Sequence, residues 1–418
     1  MEAIKGKPGS IAALDIGSSK VSCFIGQQHD DGSIEILGVG HQLAKGIKAG
    51  QVTDVGEAVE SIVAAVHAAE RMAEENIEHV FVCVNGAHVQ SRSVSVELGI
   101  ASEGVSDQDI VDLINEGCDS IASEEHSILH CFPLQYYVDD SKGLRDPRGM
   151  LGEFVGAELH ILTAKQSVLT NLAQCLGRCH LNVAGYVVAP HAAALACLEK
   201  DEREMGVTLI DMGGGLTSIC VFVDGRNIFS DTIAIGGKHV TSDIAHGLST
   251  SQQNAERIKT LHGSAYGDAK DDEVMIDVPQ LGDDDDDSDP TQLPRSALVG
   301  IIRPRMEELF EMVRGRLEAA GVDNAAGRRC VLTGGASQLR GAGELASKLL
   351  NKQIRKAKPR AIQGLPDAVS GPAFSVVSGL MVFTAEHNWE DELMAEARSG
   401  GSLKRMKEFV KRWLKANF

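Results

Sequence analysis

Short apolar strand-like runs, each broken by a glycine turn, recur through this chain, and two of them follow one plan. SIAALDIGSSKVSCFIG (residues 10 to 26) and GVTLIDMGGGLTSICVFVDG (206 to 225) each run apolar, then Asp, one apolar residue and Gly, then small or hydroxyl residues, then apolar again. Each predicts a hairpin, and a plan used twice points to a duplicated architecture. RRCVLTGGASQLRGAGELASKLL (328 to 350) predicts a strand, a Gly-Gly turn and an amphipathic helix. IAIGGKHVTSDIAHGLSTSQQNAERIKTLHG (233 to 263) predicts one helix opened by Gly236 and Gly237, and another with Glu256 and Lys259 one turn apart. LPRSALVGIIRPRMEELFEMVRGRLEAAG predicts a helix with Pro304 in its first turn, Leu309, Met312, Val313 and Leu317 on one face, and Arg295, Arg303 and Arg305 clustered before and at its start.

The last stretch, SLKRMKEFVKRWLKANF (402 to 418), is patterned differently. At about 100° per residue, Leu403, Met406, Phe409, Val410, Trp413, Leu414 and Phe418 share one half of a helix. Lys404, Arg405, Lys411, Arg412 and Lys415 occupy the other, with Lys407 at the apolar edge. That is the pattern of a helix lying in a membrane interface, with lysines on anionic lipid. EARSGGS before it reads as a flexible joint.

A chain of 418 residues exceeds the roughly 250 to 300 residues at which single cores stop growing, so two or more subdomains are expected. A net charge of −19 and only 4% aromatic residues leave little to hold phosphate backbones or stack on bases, and nucleic acid is not an expected partner. The nine cysteines form no CxxC pair and read as small buried hydrophobes in a reducing cytosol. MEAIKGKPGS lacks the apolar core of a signal peptide. VAGYVVAPHAAALACL, interrupted by Pro190 and His191, is too short to span a bilayer. The expected location is therefore the cytoplasm, with membrane contact through the surface. Residues 268 to 289 hold eleven acidic side chains against one Lys, a solvated insertion whose five consecutive Asp lack the spacing of a calcium loop.

The paired hairpins carry candidate chemistry. Glycines let a turn take positive φ and let backbone N–H groups approach an anion, and Ser18, Ser19 and Thr217 add hydroxyls. Such turns cradle phosphates. An Asp at the end of a buried strand is costly unless it faces a cation, and a hard oxygen suits Mg²⁺ on a nucleotide, directly or through water. Asp15 and Asp211 are the expected metal-facing carboxylates, and Lys20 the expected phosphate contact.

In this order DIGSSK, DMGGGLT, GGKHVTSDIA, AERIK and LTGGAS resemble the nucleotide-binding core shared by actin, sugar kinases and Hsp70 chaperones. Within it the chain is similar to the bacterial actin-like cell-division family FtsA along nearly its whole length, including FPLQYYVDDSKGLRDPRGMLG (132 to 152), which resembles that family's subdomain 1C. The resemblance implies an α/β, actin-like two-lobed nucleotide-binding fold with duplicated ribonuclease-H-like cores, a relocated 1C subdomain and a C-terminal amphipathic helix. It places subdomain 1A at 1–84 and 165–205, 1C at 85–164, 2A at 206–235 and 326–385, 2B at 236–325, a linker at 386–401 and the membrane-targeting helix at 402–418. Phosphate contacts carry over to Gly17, Ser18, Ser19, Lys20, Gly213, Gly214, Gly215 and Thr217, and nucleoside contacts to Gly236, Gly237, Glu256, Lys259, Gly334, Gly335 and Ser337.

The same resemblance implies ATP with Mg²⁺, a filament of this chain on the inner face of the cell membrane, anionic lipids as an anchor, and later division proteins on 1C. It also implies that 2B receives the acidic C-terminal peptide of the tubulin-like FtsZ, with Arg305 most like a family contact beside Arg303 and Arg295. Many actin-like ATPases carry an acidic residue before the Pro of VVAPHAAAL, where this chain has Ala189, so hydrolysis is expected to be slow; His191 is a residue able to orient a water there. Two other readings share the fold: a sugar or acetate kinase, for which no base or polar substrate pocket is evident, and the type IV pilus assembly relative, which would lack the basic tail.

Overall fold

The computed structural model describes residues 10–29, 32–100, 104–280 and 291–386. The helix expected at 402–418, linker residues 387–401 and the aspartates at 283–287 lie outside the described residues. The first lobe opens with β1 (Ser10–Ile16), β2 (Lys20–Gln28) and β3 (Ile34–Leu43), followed by a small hairpin of β4 (Ile47–Lys48) and β5 (Gln51–Val52), then α1 (Val55–Ala73) and β6 (His79–Val84). Asp54 caps α1 by accepting the Glu57 N–H. The chain then leaves the lobe for an inserted unit of β7 (Val89–Gly99), α2 (Asp107–Ile121), β8 (His126–Val138), β9 (Ser141–Leu144) and β10 (Phe154–Lys165). It returns through α3 (Gln166–Arg178), β11 (Asn182–Val188) and α4 (Ala189–Cys197).

The second lobe follows as α5 (Lys200–Met205), β12 (Val207–Met212), β13 (Thr217–Val223), β14 (Arg226–Ile233), α6 (Gly237–Gly247), α7 (Gln252–His262), β15 (Met275–Val278), β16 (Thr291–Pro294), α8 (Arg295–Ala319), β17 (Arg329–Thr333), α9 (Ala342–Leu350), β18 (Gln353–Lys356) and α10 (Ser375–Glu386). The two lobe sheets match strand for strand: β3-β2-β1-β6-β11 in one, β14-β13-β12-β17-β18 in the other. In both, three antiparallel strands are extended by two parallel ones. The register repeats as well, Asp15 lying opposite Ser22 and Asp211 opposite Ser218. This is the duplication that the two matching hairpins predict.

The inner faces of both sheets pack on α4 and α10, and Ala192, Leu195, Leu380 and Met381 share one core with Phe24, Phe81 and Phe222. The helices cross closely because they are built from small residues: a Cβ on Gly379 would collide with the Ala192 carbonyl. The inserted unit has its own core, where Ile110, Leu113 and Ile114 of α2 meet Leu159 and Tyr136 of an antiparallel sheet ordered β7-β10-β8-β9. It is fastened to both lobes. Val188 N–H of the first lobe donates to His130 Nε2 at 3.0 Å, and Arg226 of the second donates to the Leu134 carbonyl.

One helix starts elsewhere than its sequence suggests. β16 ends at Pro294, which stops strand pairing and stands at the N-cap, so α8 begins at Arg295 and carries Pro304 in its interior. Arg303 and Arg305 therefore lie within the helix rather than at its start. The missing Pro304 N–H leaves the Gly300 carbonyl without its helical donor. Leu309, Val313 and Leu317 are buried as expected, but Met312 is 37% exposed, and Met306, Phe310 and Ile302 complete the buried face instead.

Candidate functional site

A cleft of about 1050 Å³ separates the lobes. Its floor is made by the two glycine turns, which interlock. A Cβ on Gly214 would collide with Ser19 Oγ, and one on Gly215 would stand 2.6 Å from Ser18 Oγ, so only glycine allows this approach. Asp15 and Asp211, at the ends of β1 and β12, both line the cleft. Loss of hydration pushes Asp211 up to about 7, with the Asp15 charge adding to the rise and Lys20 opposing it. Asp15 is raised for the same first reason, although the Cys83 thiol donates to its Oδ1 at 2.8 Å and favours the charged form. Two desolvated carboxylates near one another are a place for a cation.

Lys20 Nζ stands 3.0 Å over the centre of the Phe374 ring, with no hydrogen-bond partner among the described residues. Burial pushes it down to about 8 against the pull of Asp15 and Asp211. Lys238, directly after the glycine pair at the start of α6, crosses the cleft and donates to the Ser18 carbonyl at 2.7 Å. Farther along, Lys259 Nζ donates to Glu256 Oε2 at 2.7 Å and to Thr241 Oγ1 at 2.8 Å. Gly334, in the left-handed region at φ 84, and Gly335 form the facing wall, and a side chain on Gly334 would strike Asp211. The arrangement offers amide-rich turns and a lysine at one end, a carboxylate pair beside them, and a hydrogen-bonding Glu/Lys pair at the other.

A family model described as Cell division protein FtsA matches residues 208–379, and one described as SHS2 domain inserted in FTSA matches residues 86–163. The cell division protein FtsA of Rhizobium meliloti is 41% identical over 384 residues, covering 89% of this chain and 86% of its own. That of Pseudomonas aeruginosa is 33% identical over 412 residues, covering 98% of each. The chain belongs to the FtsA family. Among solved structures, the PilM-PilN type IV pilus biogenesis complex aligns with a TM-score of 0.65 at 16% identity, over 90% of this chain and 98% of that one. MreB5 of Spiroplasma citri bound to ADP aligns at 0.54 and 13% identity, over 94% and 100%. At such identities the likeness shows the fold, which is actin-like, and the residues that match the SHS2 family model form the unit from β7 to β10.

Most residues expected at the site meet in this cleft: Asp15, Gly17, Ser18, Ser19, Lys20, Asp211, Gly213, Gly214, Gly215, Gly236, Gly237, Glu256, Lys259, Gly334 and Gly335 all line it. Two do not. Thr217 is the first residue of β13, and its side chain turns into the sheet to donate to the Ile235 carbonyl at 2.8 Å. Ser337 sits in a 3-10 turn that bends its hydroxyl back to the Gly334 carbonyl at 2.7 Å. Ala189 faces the cleft, whereas His191, two residues on and roughly 200° around the helix, stacks in a ring cluster 4.9 Å from Phe132 and is not a cleft residue.

The three arginines assigned to an acidic peptide are each engaged within the chain. Arg305 binds Asp243 through Nε at 2.7 Å and Nη2 at 3.0 Å, with Glu308 on Nη1, and itself lines the cleft. Arg303 pairs with Glu307 at 2.7 Å, and Arg295 with Asp271. The cleft also contains residues that sequence reading passed over: Cys83, Asn85, Lys238, Lys45 and Arg340. Only Lys238 carried a signal, its place in GGKH.

Proposed function

We propose that this protein binds ATP with Mg²⁺ between its lobes, polymerises on the inner face of the cytoplasmic membrane at the division site and tethers the FtsZ ring there, helping to recruit later division proteins. The observation that carries the reading is the pair of interlocked Asp-x-Gly turns, with Lys20, which has no hydrogen-bond partner among the described residues, and two desolvated carboxylates at their junction. Solved MreB5 structures of the same fold are bound to ADP and to AMPPNP. Gly17, Ser18, Ser19, Lys20 and Gly213 to Gly215 would hold phosphates, Glu256 and Lys259 the nucleoside, and Asp15 and Asp211 the cation, which their raised affinity for protons fits. Subdomains 1A, 1C, 2A and 2B with the boundaries given above describe how the lobes divide. The FtsZ peptide docks on 2B by exchanging with the internal partners of Arg303 and Arg305, and the tail at 402–418 holds anionic lipid.

Calorimetry with Mg-ATP tests the core of this reading. Asp15→Ala/Asp211→Ala should lose most of the affinity of the intact chain. Equal affinity in both would refute the assignment of the cleft.

A further inference from the structure

The chain is acidic as a whole, yet residues 351–366 hold five basic side chains and no acidic one. Lys352 is buried and donates to the Gly327 carbonyl at 2.7 Å, and Arg355 is held by Glu202 at 2.6 Å. The other three stand at alternate positions, and exposure alternates with them: Lys356, Lys358 and Arg360 are exposed, while Ala357 and Pro359 between them are buried. Side chains two residues apart in an extended segment share one side, so the three form an outward row roughly 13 Å long. Lys356 reaches only the Leu339 carbonyl, at 3.4 Å, and Lys358 has neither a hydrogen bond nor an ion pair among the described residues. Arg360 donates to the Leu195 carbonyl at 2.7 Å through Nη2, with Glu199 4.0 Å from Nη1.

β18 is the edge strand of its sheet, and charge on an edge keeps stray strands from pairing. That reason covers Lys356 alone, because β18 ends there and Lys358 and Arg360 lie beyond it. From Arg360, whose N–H donates to the Ala196 carbonyl at 2.9 Å, the chain crosses to the first lobe, where the Gln363 carbonyl accepts from the Ile36 N–H of β3 at 2.8 Å. β3 pairs with β2, Ile34 opposite Gln28, and Gln28 Nε2 donates to the Ala385 carbonyl in the last turn of α10 at 2.8 Å. Gln363 and Gln28 are thus two strand spacings apart, about 10 Å. The basic row and the end of α10 flank one corner of the first lobe. The 15 residues from 387 to 401 reach at most about 50 Å, so the tail at 402–418 begins within that distance of this corner.

We propose that Lys356, Lys358 and Arg360 rest on the anionic surface of the bilayer that the tail enters, so that the protein meets the membrane at two places and in one orientation. The contact rests on the reading of the tail as a lipid anchor. A bilayer surface is flat and dense in negative charge and takes lysines as point charges. An acidic peptide would need a groove, and the row lines neither the cleft nor the smaller cavity beside the β4–β5 hairpin. Each lysine near such a surface raises the binding constant roughly fivefold. That is too little to hold the whole chain alone, and enough to fix which face turns to the lipid once the tail is bound.

The test uses the full chain and vesicles of phosphatidylglycerol and phosphatidylcholine, with melting temperature and Mg-ATP affinity as checks on folding. Lys356→Gln/Lys358→Gln should bind roughly twentyfold more weakly and with a shallower dependence on salt, whereas Lys356→Arg/Lys358→Arg should bind like the wild type. A fluorophore on Ala361→Cys should transfer energy to acceptor lipids, and much less so in the Gln variant at lipid concentrations that pellet both fully. Equal affinity, salt slope and energy transfer in the Gln variant overturn the proposal. So does a Gln variant that keeps its lipid affinity but loses self-association in sedimentation velocity, which would make the row a contact between copies of this chain. A wild type that does not bind the vesicles at all overturns the reading of the tail, and the second contact with it.

Discussion

Replacing His160 by Gln should flatten the acid side of this protein's stability profile. His160, on β10 of the inserted unit, is fully buried. Its Nδ1–H donates to the Asn227 carbonyl of the second lobe at 2.7 Å, which leaves Nε2 to accept from the Ser91 hydroxyl at 2.7 Å. Burial pushes its pKa from 6.5 down to about 4, against the pull of the Asn227 carbonyl. Between those values the unfolded chain binds a proton that the folded chain refuses, so the stability is fully present above 6.5 and is lost as pH falls through about 4. The full difference is about 3 kcal/mol, of which about 2 kcal/mol is lost by pH 5. With a urea slope of about 3 kcal/mol per molar or more for a chain this long, that moves the midpoint by roughly half a molar. Urea unfolding at pH 7.5 and pH 5 in both proteins gives the double difference, which removes the contribution of the groups the two proteins share. His160→Gln should retain its bonds in uncharged form and show the smaller shift. Equal pH dependence in the two would mean that His160 is not the group that titrates.

Three other outcomes follow from the same structure. Asp211→Asn should raise the melting temperature at pH 8 while abolishing Mg-ATP binding, because a carboxylate raised to about 7 contributes stability fully present below 3.8 and lost as pH rises through about 7; a lower melting temperature would contradict the assigned desolvation. Gly379→Ala should destabilise by about 2 kcal/mol or more through its collision with the Ala192 carbonyl at the α4–α10 crossing, read by chemical denaturation. Truncation after Gly401 should remove sedimentation with anionic liposomes, and a truncated chain that still pellets would place the anchor elsewhere.

The duplicated lobes were legible because each hairpin carries its whole signal locally: Asp15 and Asp211 each sit seven residues before the serine they face across the strand pair. What escaped is what arrives from far away. Cys83 and Asn85 enter the site because β6 lies parallel to β1, with Leu14 opposite Val82, and nothing in CVNGAH announces that neighbour. Thr217 and Ser337 were the right residue types in the right turns, but the direction of a hydroxyl is set by the nearest carbonyl in the folded chain, here Ile235 and Gly334. The start of α8 was misread because Pro304 is the more conspicuous proline, while Pro294 is the one that ends a strand.

The placement of the inserted unit decides where this molecule is able to open. His130 grips Val188 of the first lobe, while Arg226 and the Asn227 carbonyl of the second are held by Leu134 and His160, so one rigid sheet bridges both lobes at the back. The small-residue crossing of α4 and α10 fills the space between them. At the front the contacts between the lobes include polar and backbone ones, Lys238 on Ser18, Gly214 and Gly215 against Ser19 and Ser18, and Asn85 on Ser218 and Thr232. Breaking the back costs buried apolar area and hydrogen bonds shielded from water, whereas the front exchanges bonds with solvent or with phosphate oxygens at little net cost. A triphosphate and its cation would therefore act on the front contacts and leave the back as the hinge.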